Sequence, residues 1–441
     1  HRLRVYSHVC RDSITIPDFV ANRFRDPTGI SRIIAAIIIL VFFTFYTASG
    51  FVSCAKLFTS TFGIPETIHL GGLTLSGYQM CLWVGALVVV GYTFLGGYMA
   101  VCWTDFVQGT LMFVAIVLIP AVVVCQAGGF AATVNQLNEI NPYLQSLFTS
   151  ATTMKATGFI GLASCLAWGL GYFGMPHILV RFMSIDNPAE VKGSRRIAMT
   201  WVTISLGAAI VIGLVFHLYL KMRGLTLQDV GGDPERMFMI MINGIFSTGF
   251  FARVLAGLLL SAIMAAIMST ADSQLLVSAS SFSNDLYKVV LRKKASNREL
   301  IFVSRLAVAA VAIAAIALAM NTDSAFFKVV MKMVSFAWAG FGAAFGPLIL
   351  LALFWKRTNL AGAISGMVVG AVTCFVWKFG VSADYLAAHP DSILNLYELV
   401  PGFIFAFAAI VVVSLVTGKP AAEIQNEFDE VKREIEAHTA E

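Results

Sequence analysis

The chain has 441 residues, of which 58% are hydrophobic and 12% are charged, and its mean hydropathy is +0.81. Soluble domains carry about 25% charged residues, so this composition excludes a soluble domain and indicates a polytopic membrane protein. The net charge of +5 arises from short basic connections between apolar segments, a distribution that favours membrane topology over nucleic-acid binding. The seven cysteines form no CxxC pair, so they predict neither a disulfide framework nor a zinc site.

Apolar segments of about 20 residues, the length that crosses a bilayer, recur along the chain. We predict an all-α membrane protein with about ten transmembrane helices, near 30–56, 77–101, 105–127, 156–181, 197–220, 250–284, 300–320, 329–354, 360–380 and 398–418. This divides the chain into an N-terminal segment (1–29), a transmembrane domain (30–418) and a C-terminal tail (419–441) with a helical pattern.

The basic residues lie mainly in every second connection of this topology. The richest groups are Lys192, Arg195 and Arg196, and Lys288, Arg292, Lys293, Lys294 and Arg298. Because cytoplasmic loops carry an excess of Lys and Arg, we expect these connections and both ends of the chain to be cytoplasmic. The membrane would then be the inner membrane of a bacterial cell.

Two polar residues stand out in the first three spans. Tyr46 lies within the first span, where its hydroxyl needs a partner. Asp105 lies at the predicted cytoplasmic start of the third span. It has two possible roles, as a helix N-cap or as a cation ligand.

The fourth span is interrupted between Trp168 and Pro176, where three glycines and a proline fall within a few residues. Glycine and proline disfavour helix by about 1 and about 3 kcal/mol, and lipid offers no partner for freed backbone groups. Broken spans occur where the backbone lines a substrate or ion site. Trp168 and Tyr172 add apolar faces with polar edges, which favours a small organic solute over simple helix packing.

The sixth predicted span carries a stripe of small and hydroxylated residues at helical spacing, formed by Ala266, Ser269, Thr270 and Ser273. Hydroxyl and carbonyl oxygens suit a hard monovalent cation, although serine and threonine also bond the preceding turn in membrane helices. Asp272 lies at the edge of this stripe. An ionisable residue inside a span is by default a functional candidate.

The eighth span contains Gly340, Gly342, Gly346 and Pro347. These residues would make the helix bendable, which is consistent with a gating hinge. Close packing against another helix is the alternative, since small residues are typical of hinges and of helix–helix contacts.

These motifs together resemble the sodium:solute symporter family, and within it the carriers of proline. The matching stretches are Phe42–Gly50, Gly91–Asp105, Trp168–Phe182, Leu260–Thr270, Ser335–Pro347 and Tyr397–Phe403. The resemblance implies two inverted repeats of five helices, with three helices of the family pattern preceding His1. It also implies that the protein is a transporter and not an enzyme.

The resemblance implies roles for individual residues. Tyr46, Trp168, Tyr172 and Pro176 would contact the substrate, and Ala266, Ser269 and Thr270 would bind Na⁺. Asp105, Asp272 and Ser273 would form a second sodium site, which some members of the family have.

The function that follows is sodium-coupled import of L-proline across the cytoplasmic membrane by alternating access. The nearest alternative is another solute, such as pantothenate, carried by the same fold. A membrane sensor built on this fold, or an inactive fragment, are further alternatives.

Overall fold

The computed structural model describes residues 1–70, 73–95, 98–151 and 153–440. The helices are α1 (Arg2–Val9), α2 (Ile16–Arg23), α3 (Ile30–Phe62), α4 (Gly77–Leu95), α5 (Tyr98–Gln126), α6 (Phe130–Ile140), α7 (Phe159–Gly171), α8 (Pro176–Met183), α9 (Val191–Arg223), α10 (Met237–Ile245), α11 (Phe250–Ser280), α12 (Asn297–Ala319), α13 (Ala325–Lys328), α14 (Val330–Phe354), α15 (Leu360–Phe379), α16 (Ala383–Ala388), α17 (Leu399–Val416) and α18 (Ala422–Ala440). A π-helical segment, Ser281–Leu291, continues α11.

Within the described residues, ten helical segments are long and apolar enough to cross a membrane, which confirms the predicted architecture. The structure adds elements that the hydropathy pattern did not predict. An antiparallel hairpin of β1 (Thr67–Leu70) and β2 (Leu73–Ser76) follows α3, and α6 lies between α5 and α7. The N-terminal segment (1–29) forms two helices, α1 and α2.

One predicted boundary is wrong. The second span was expected to reach residue 101 and the third to begin at Asp105, but α4 ends at Leu95 and α5 begins at Tyr98. Gly96 and Gly97, part of the matching stretch Gly91–Asp105, lie outside the described residues. Asp105 therefore lies within α5, where Arg181 of α8 supplies its counter-charge.

The central column of the fold is α14, whose most apolar stretch is 94% buried, compared with 22% for α5 and for the helix that contains α9. Two hydrophobic cores flank α3. One joins α3 to α1, α2, α8, α14, α15, α17 and α18. The other joins it to α4, α5, α9, α10, α11 and α12. The outer helices expose large apolar side chains, as lipid-facing helices do.

Glycines let the broken span approach α14 closely. A Cβ atom added at Gly174 would lie 2.2 Å from the carbonyl oxygen of Phe341, and one added at Gly342 would lie 2.7 Å from the Cα of Gly171. Such contacts leave no room for a side chain on either helix. The interruption is therefore held against the central helix by direct backbone packing.

We predict that Gly174→Ala destabilises the fold, because the new methyl group meets immobile backbone. Overpacking of this kind costs about 1–3 kcal/mol. The measurement is the thermal unfolding midpoint of the detergent-purified protein, followed by circular dichroism.

The matched control is Gly169→Ala. A Cβ at Gly169 meets nothing within 4 Å, and alanine favours helix over glycine. Equal midpoints for the two variants would contradict the packing described here.

Candidate functional site

The interruption of the fourth span is a short turn whose glycines and proline fit its backbone conformation. Helix α7 ends at Gly171 and α8 begins at Pro176, so four residues separate the two halves. The amide of Gly174 donates to the carbonyl oxygen of Gly171 at 2.9 Å. Proline suits the first position of α8 because its missing N–H has no helical partner there. The predicted break is present, and it exposes backbone groups in the middle of the protein.

Aromatic rings pack beside this break. Trp168 stacks on Trp338 with ring centroids 5.1 Å apart and an interplanar angle of 12°, and Tyr172 meets Trp338 edge-on at 4.8 Å. The indole nitrogen of Trp338 donates to the carbonyl oxygen of Trp168 at 2.9 Å. The ring of Tyr397 also stacks with that of Trp168, with centroids 6.3 Å apart. Trp338 thus ties α14 to the predicted substrate residues Trp168 and Tyr172.

Tyr46 lies in a different environment from the two other aromatic candidates. It lines a cavity of about 470 Å³ together with Ala266 and Thr270. Its ring also meets that of His177, directly after the buried Pro176, at 6.2 Å. The structure therefore joins Tyr46 to two of the predicted sodium ligands in one cavity. Trp168, Tyr172 and Pro176 lie at the break beside it and not in the lining of this cavity.

Polar residues from α3 and α11 complete this cavity. The hydroxyl of Thr47, buried behind it, donates to the side-chain oxygen of Gln274 at 3.1 Å. The polar lining residues are Tyr46, Ser49, Ser53, Lys56, Glu235, Thr270 and Gln274. The cavity thus offers oxygens to a cation and an apolar wall to a small solute.

The hydroxyls of the α11 stripe bond the preceding turn of their own helix. Ser269 Oγ donates to the carbonyl oxygen of Ala266 at 3.2 Å, and Ser273 Oγ donates to that of Ser269 at 3.0 Å. These bonds occupy the hydroxyl protons, so the hydroxyl oxygens can still accept, and that of Ser273 accepts from Arg181. Bonding to the preceding turn is the alternative role that the sequence analysis gave these hydroxyls. The same bonds leave oxygen atoms that can also serve as cation ligands.

A charged cluster lies one helical turn further along α11. Arg181, from the end of α8, pairs with Asp105 of α5 and donates to Ser273 Oγ at 2.8 Å. Ser273 Oγ lies 3.5 Å from a carboxylate oxygen of Asp272. The structure therefore brings the three residues predicted for a second cation together. The N-cap alternative for Asp105 is wrong, because α5 begins at Tyr98.

The charges in this cluster do not balance. Two carboxylates, those of Asp105 and Asp272, face one guanidinium, that of Arg181. Asp272 is fully buried, and Asp105 Oδ1 and Asp272 Oδ2 have no hydrogen-bond partner among the described residues. Buried unpaired charge is costly, so the cluster has capacity for one further monovalent cation.

Two cavities beside α11 extend in opposite directions from the predicted cation ligands. The cavity of Tyr46 and Thr270 reaches Lys56, which pairs with Asp233 at 2.7 Å and Glu235 at 2.6 Å. A second cavity, of about 320 Å³, contains Arg181 and Ser273 and reaches Thr15 and Ser280 on the other side. Neighbouring residues of α11 line the two cavities, Gln274 the first and Ser273 the second.

The glycines of α14 occupy tight contacts. A Cβ added at Gly340 would lie 2.0 Å from the ring of Phe42, and one at Gly346 would lie 2.8 Å from the ring of Phe403. The helix continues through Pro347 to Phe354. Close packing is therefore sufficient to explain why glycine occupies these positions. A hinge role for Gly340, Gly342, Gly346 and Pro347 stays a prediction.

Sequence reasoning did not single out Arg181, Trp338, Tyr397 or Gln274. Three of them lie within the quoted motifs, but their partners are far away in the chain: Arg181 pairs with Asp105, and Trp338 bonds Trp168. The only available sign was an arginine close to the predicted end of a span, which topology alone explains.

Known proteins match the chain along most of its length. The sequence model of the sodium:solute symporter family matches residues 4–370. The high-affinity proline transporter PutP of Bacillus subtilis is 43% identical over 97% of this chain and 82% of its own length. A sodium/proline symporter of Escherichia coli is 42% identical over 97% of this chain and 78% of its own length.

A solved transporter structure has a similar fold. The substrate-bound, outward-open Na⁺-coupled sialic acid symporter superposes with a TM-score of 0.66 at 18% sequence identity, covering 95% of this chain and 84% of that one. The likeness confirms the fold that the sequence predicts.

We predict that Arg181 and Asp105 are energetically coupled. Removing one partner leaves a partly buried charge unpaired, so Arg181→Gln and Asp105→Asn each lower the unfolding midpoint. The double variant is less destabilised than the sum of the two, by about 1–3 kcal/mol.

The control pair is Lys221→Gln with Glu139→Gln, which removes an exposed ion pair of 2.9 Å between α9 and α6. Exposed pairs contribute about 0–1 kcal/mol, so its coupling is small. Additive effects for the Arg181 and Asp105 variants would show that the contact contributes nothing to the fold.

Proposed function

Because the chain belongs to the sodium:solute symporter family, we propose that it imports L-proline together with Na⁺. The observation that carries this proposal is the identity of 41–43% with several proline carriers across nearly the whole chain. The protein is a multi-pass membrane transporter and not an enzyme, and Na⁺ is its coupling ion.

The primary sodium site is proposed at the stripe on α11. Ala266 and Thr270 line the cavity, and the hydroxyl of Ser269 bonds the carbonyl oxygen of Ala266. Oxygen ligands of this kind suit a small hard cation. Na⁺ entering along its gradient supplies about 2.3 kcal/mol per charge at a membrane potential of about 100 mV, which drives uptake.

The substrate is proposed to bind between Tyr46 and the broken span. Tyr46 contacts the cavity, and Trp168, Tyr172 and Pro176 form the adjoining segment. Proline has a compact apolar ring and two charged groups. The aromatic faces suit the ring, and the unwound backbone offers partners for the charged groups.

A second sodium is proposed at the charged cluster. Arg181 balances Asp105, which leaves Asp272 without a counter-charge, and the free oxygens of both carboxylates are suitable ligands. The hydroxyl of Ser273 accepts from Arg181 and lies 3.5 Å from Asp272, so it connects Asp272 to the ion pair of Arg181 and Asp105.

Alternating access follows from the two cavities. The cavity with Thr270 opens towards Lys56 and Glu235, and the cavity with Ser273 opens towards Ser280. Because neighbouring residues of α11 line both cavities, tilting of the surrounding helices exposes the site to one side and then to the other. Gly340, Gly342 and Gly346 are candidates for the helix positions that permit this tilt.

Both ends of the chain are proposed to face the cytoplasm, with the transporter in the inner membrane. Helices α1 and α18 contact each other, and the thiol of Cys10 donates to Glu427 at 2.9 Å. Arg4 of α1 also donates to the carbonyl oxygen of Asp186, in a basic connection, at 3.1 Å. Both ends therefore share one side, and the positive-inside rule assigns that side to the cytoplasm.

A solute other than proline is the remaining alternative within the family. Competition of labelled proline uptake by a panel including pantothenate and sialic acid distinguishes them. Inhibition by unlabelled proline but not by the other solutes supports the proposal. Absence of saturable proline uptake, together with saturable uptake of labelled pantothenate, overturns it.

We predict that Thr270→Ala raises the Na⁺ concentration for half-maximal proline uptake about ten- to hundredfold. Losing one buried ligand oxygen costs about 1–3 kcal/mol. The control Ser261→Ala removes an exposed hydroxyl from the same helix that bonds only the carbonyl oxygen of Leu258. An unchanged sodium dependence in Thr270→Ala would remove the site from α11.

We predict that Trp168→Ala weakens proline affinity about tenfold or more, because the stack beside the substrate is lost. Sodium binding in the absence of proline stays near the wild-type value. Trp83→Ala, which removes an exposed indole from α4, serves as the control. Wild-type proline affinity in both Trp168→Ala and Tyr172→Ala would rule out this pocket.

We predict that the sodium dependence of uptake has a Hill coefficient approaching two, and that Asp272→Asn lowers it to about one. The neutral amide no longer attracts the second cation. Asp229→Asn, in an exposed loop, is the control and keeps the wild-type coefficient. A wild-type coefficient already near one would argue against the second site.

A further inference from the structure

A dense group of cations lies where α11 ends and α12 begins. Five exposed basic residues fall within this short connection and its flanks: Lys288, Arg292, Lys293, Lys294 and Arg298. Two candidate membrane spans, Phe250–Leu291 and Asn297–Ala319, end and begin here, so the five cations cluster where lipid headgroups would meet the protein. Arg292 lies 3.5 Å from Glu299. The other four have no ion-pair partner in the described part of the chain.

Two of these cations line a cavity. Lys288 and Lys293, with Arg32 of α3, border a polar space of about 490 Å³ between the start of α3 and the π-helical end of α11. The two carboxylates of the lining, Asp18 and Asp285, both contact Arg32. Lys288 and Lys293 are therefore free to meet an anion from outside.

Apolar side chains flank the same group on the membrane side. Val290 and Leu291 are 56% and 68% exposed, and Ile301 and Phe302 of α12 are 55% and 68% exposed. Cations at the headgroup level beside exposed apolar residues match the two parts of a phospholipid, its phosphate and its acyl chains. The exposed apolar side chains would contribute nothing to the binding of a soluble anion.

We propose that this cavity binds the phosphate of an anionic membrane lipid between Lys288 and Lys293. Clusters of four to eight basic residues directly inside a transmembrane helix attract such lipids. The lipid has a route to influence transport, because this cavity and the one that contains Arg181 and Ser273 are both lined by Thr15 and Ser280. A headgroup bound here stabilises the wall through which we propose that Na⁺ leaves.

The basic group at the start of α9 has no such cavity. Lys192, Arg195 and Arg196 are equally exposed and also lie on the proposed cytoplasmic side, but they line none of the described cavities. They provide a matched comparison, since neutralising two of them removes the same charge from the same face of the membrane. Any difference between the groups reflects the cavity and not the general surface potential.

The test measures binding of fluorescently labelled phosphatidylglycerol to the purified protein in detergent. Lys288→Gln with Lys293→Gln should weaken binding about tenfold, since each cation near the headgroup contributes appreciably. Lys192→Gln with Arg195→Gln should leave it unchanged. Equal weakening in both double variants, or none in the first, overturns the proposal. Displacement of the labelled lipid by inorganic phosphate at low concentration also overturns it, because it would show a site for a soluble anion.

A second measurement connects the site to transport and rests on the proposed function. Proline uptake is compared in vesicles of phosphatidylcholine with and without phosphatidylglycerol. The wild type should gain several-fold from the anionic lipid, and the Lys288/Lys293 double variant should not. Equal gains in both proteins would separate the lipid site from transport and overturn the regulatory part. Absence of proline uptake in every sample, with lipid binding intact, would count against the proposed substrate and not against the lipid site.

Discussion

The requirement that every backbone polar group find a partner inside lipid controls the architecture of this protein. The fourth span breaks between Gly171 and Pro176 at the place where α14 lies directly against it. Side chains are excluded at Gly174 and Gly342, so the two backbones touch. Burial of α14, the stacking of Trp338 on Trp168 and the position of Tyr46 all depend on this contact.

Electrostatics adds a second constraint within the same membrane region. Asp105 would be costly on a lipid-facing helix, and Arg181 from α8 compensates it. This ion pair connects the inner half of the broken span to α5 and, through Ser273, to α11. The remaining imbalance at Asp272 is the reason that we propose a second Na⁺ where these three helices meet. In that proposal, cation binding and helix position are linked, as ion-coupled transport requires.

Much of this was predictable because membrane sequences obey strong rules. Hydropathy gave the ten spans, and the glycines and proline located the break between Trp168 and Pro176. The hydroxyl spacing on α11 placed Ala266, Ser269 and Thr270 on one face. The contacts between distant segments were not predictable. Nothing in the sequence pairs Arg181 with Asp105 or Trp338 with Trp168. The start of α5 at Tyr98 did have a sequence signal, the Gly96-Gly97 pair directly before it, which the predicted span 77–101 ran through.

The central claim is that sodium at α11 and proline at Tyr46 share one cavity and stabilise each other's binding. Equilibrium dialysis of labelled proline against the purified protein, in Na⁺ and in an equal concentration of K⁺, tests it most directly. Linkage requires that Na⁺ tighten proline binding by the factor by which proline tightens Na⁺ binding, about 5- to 150-fold for typical coupling. Proline binding that is equally tight in K⁺ would contradict the account.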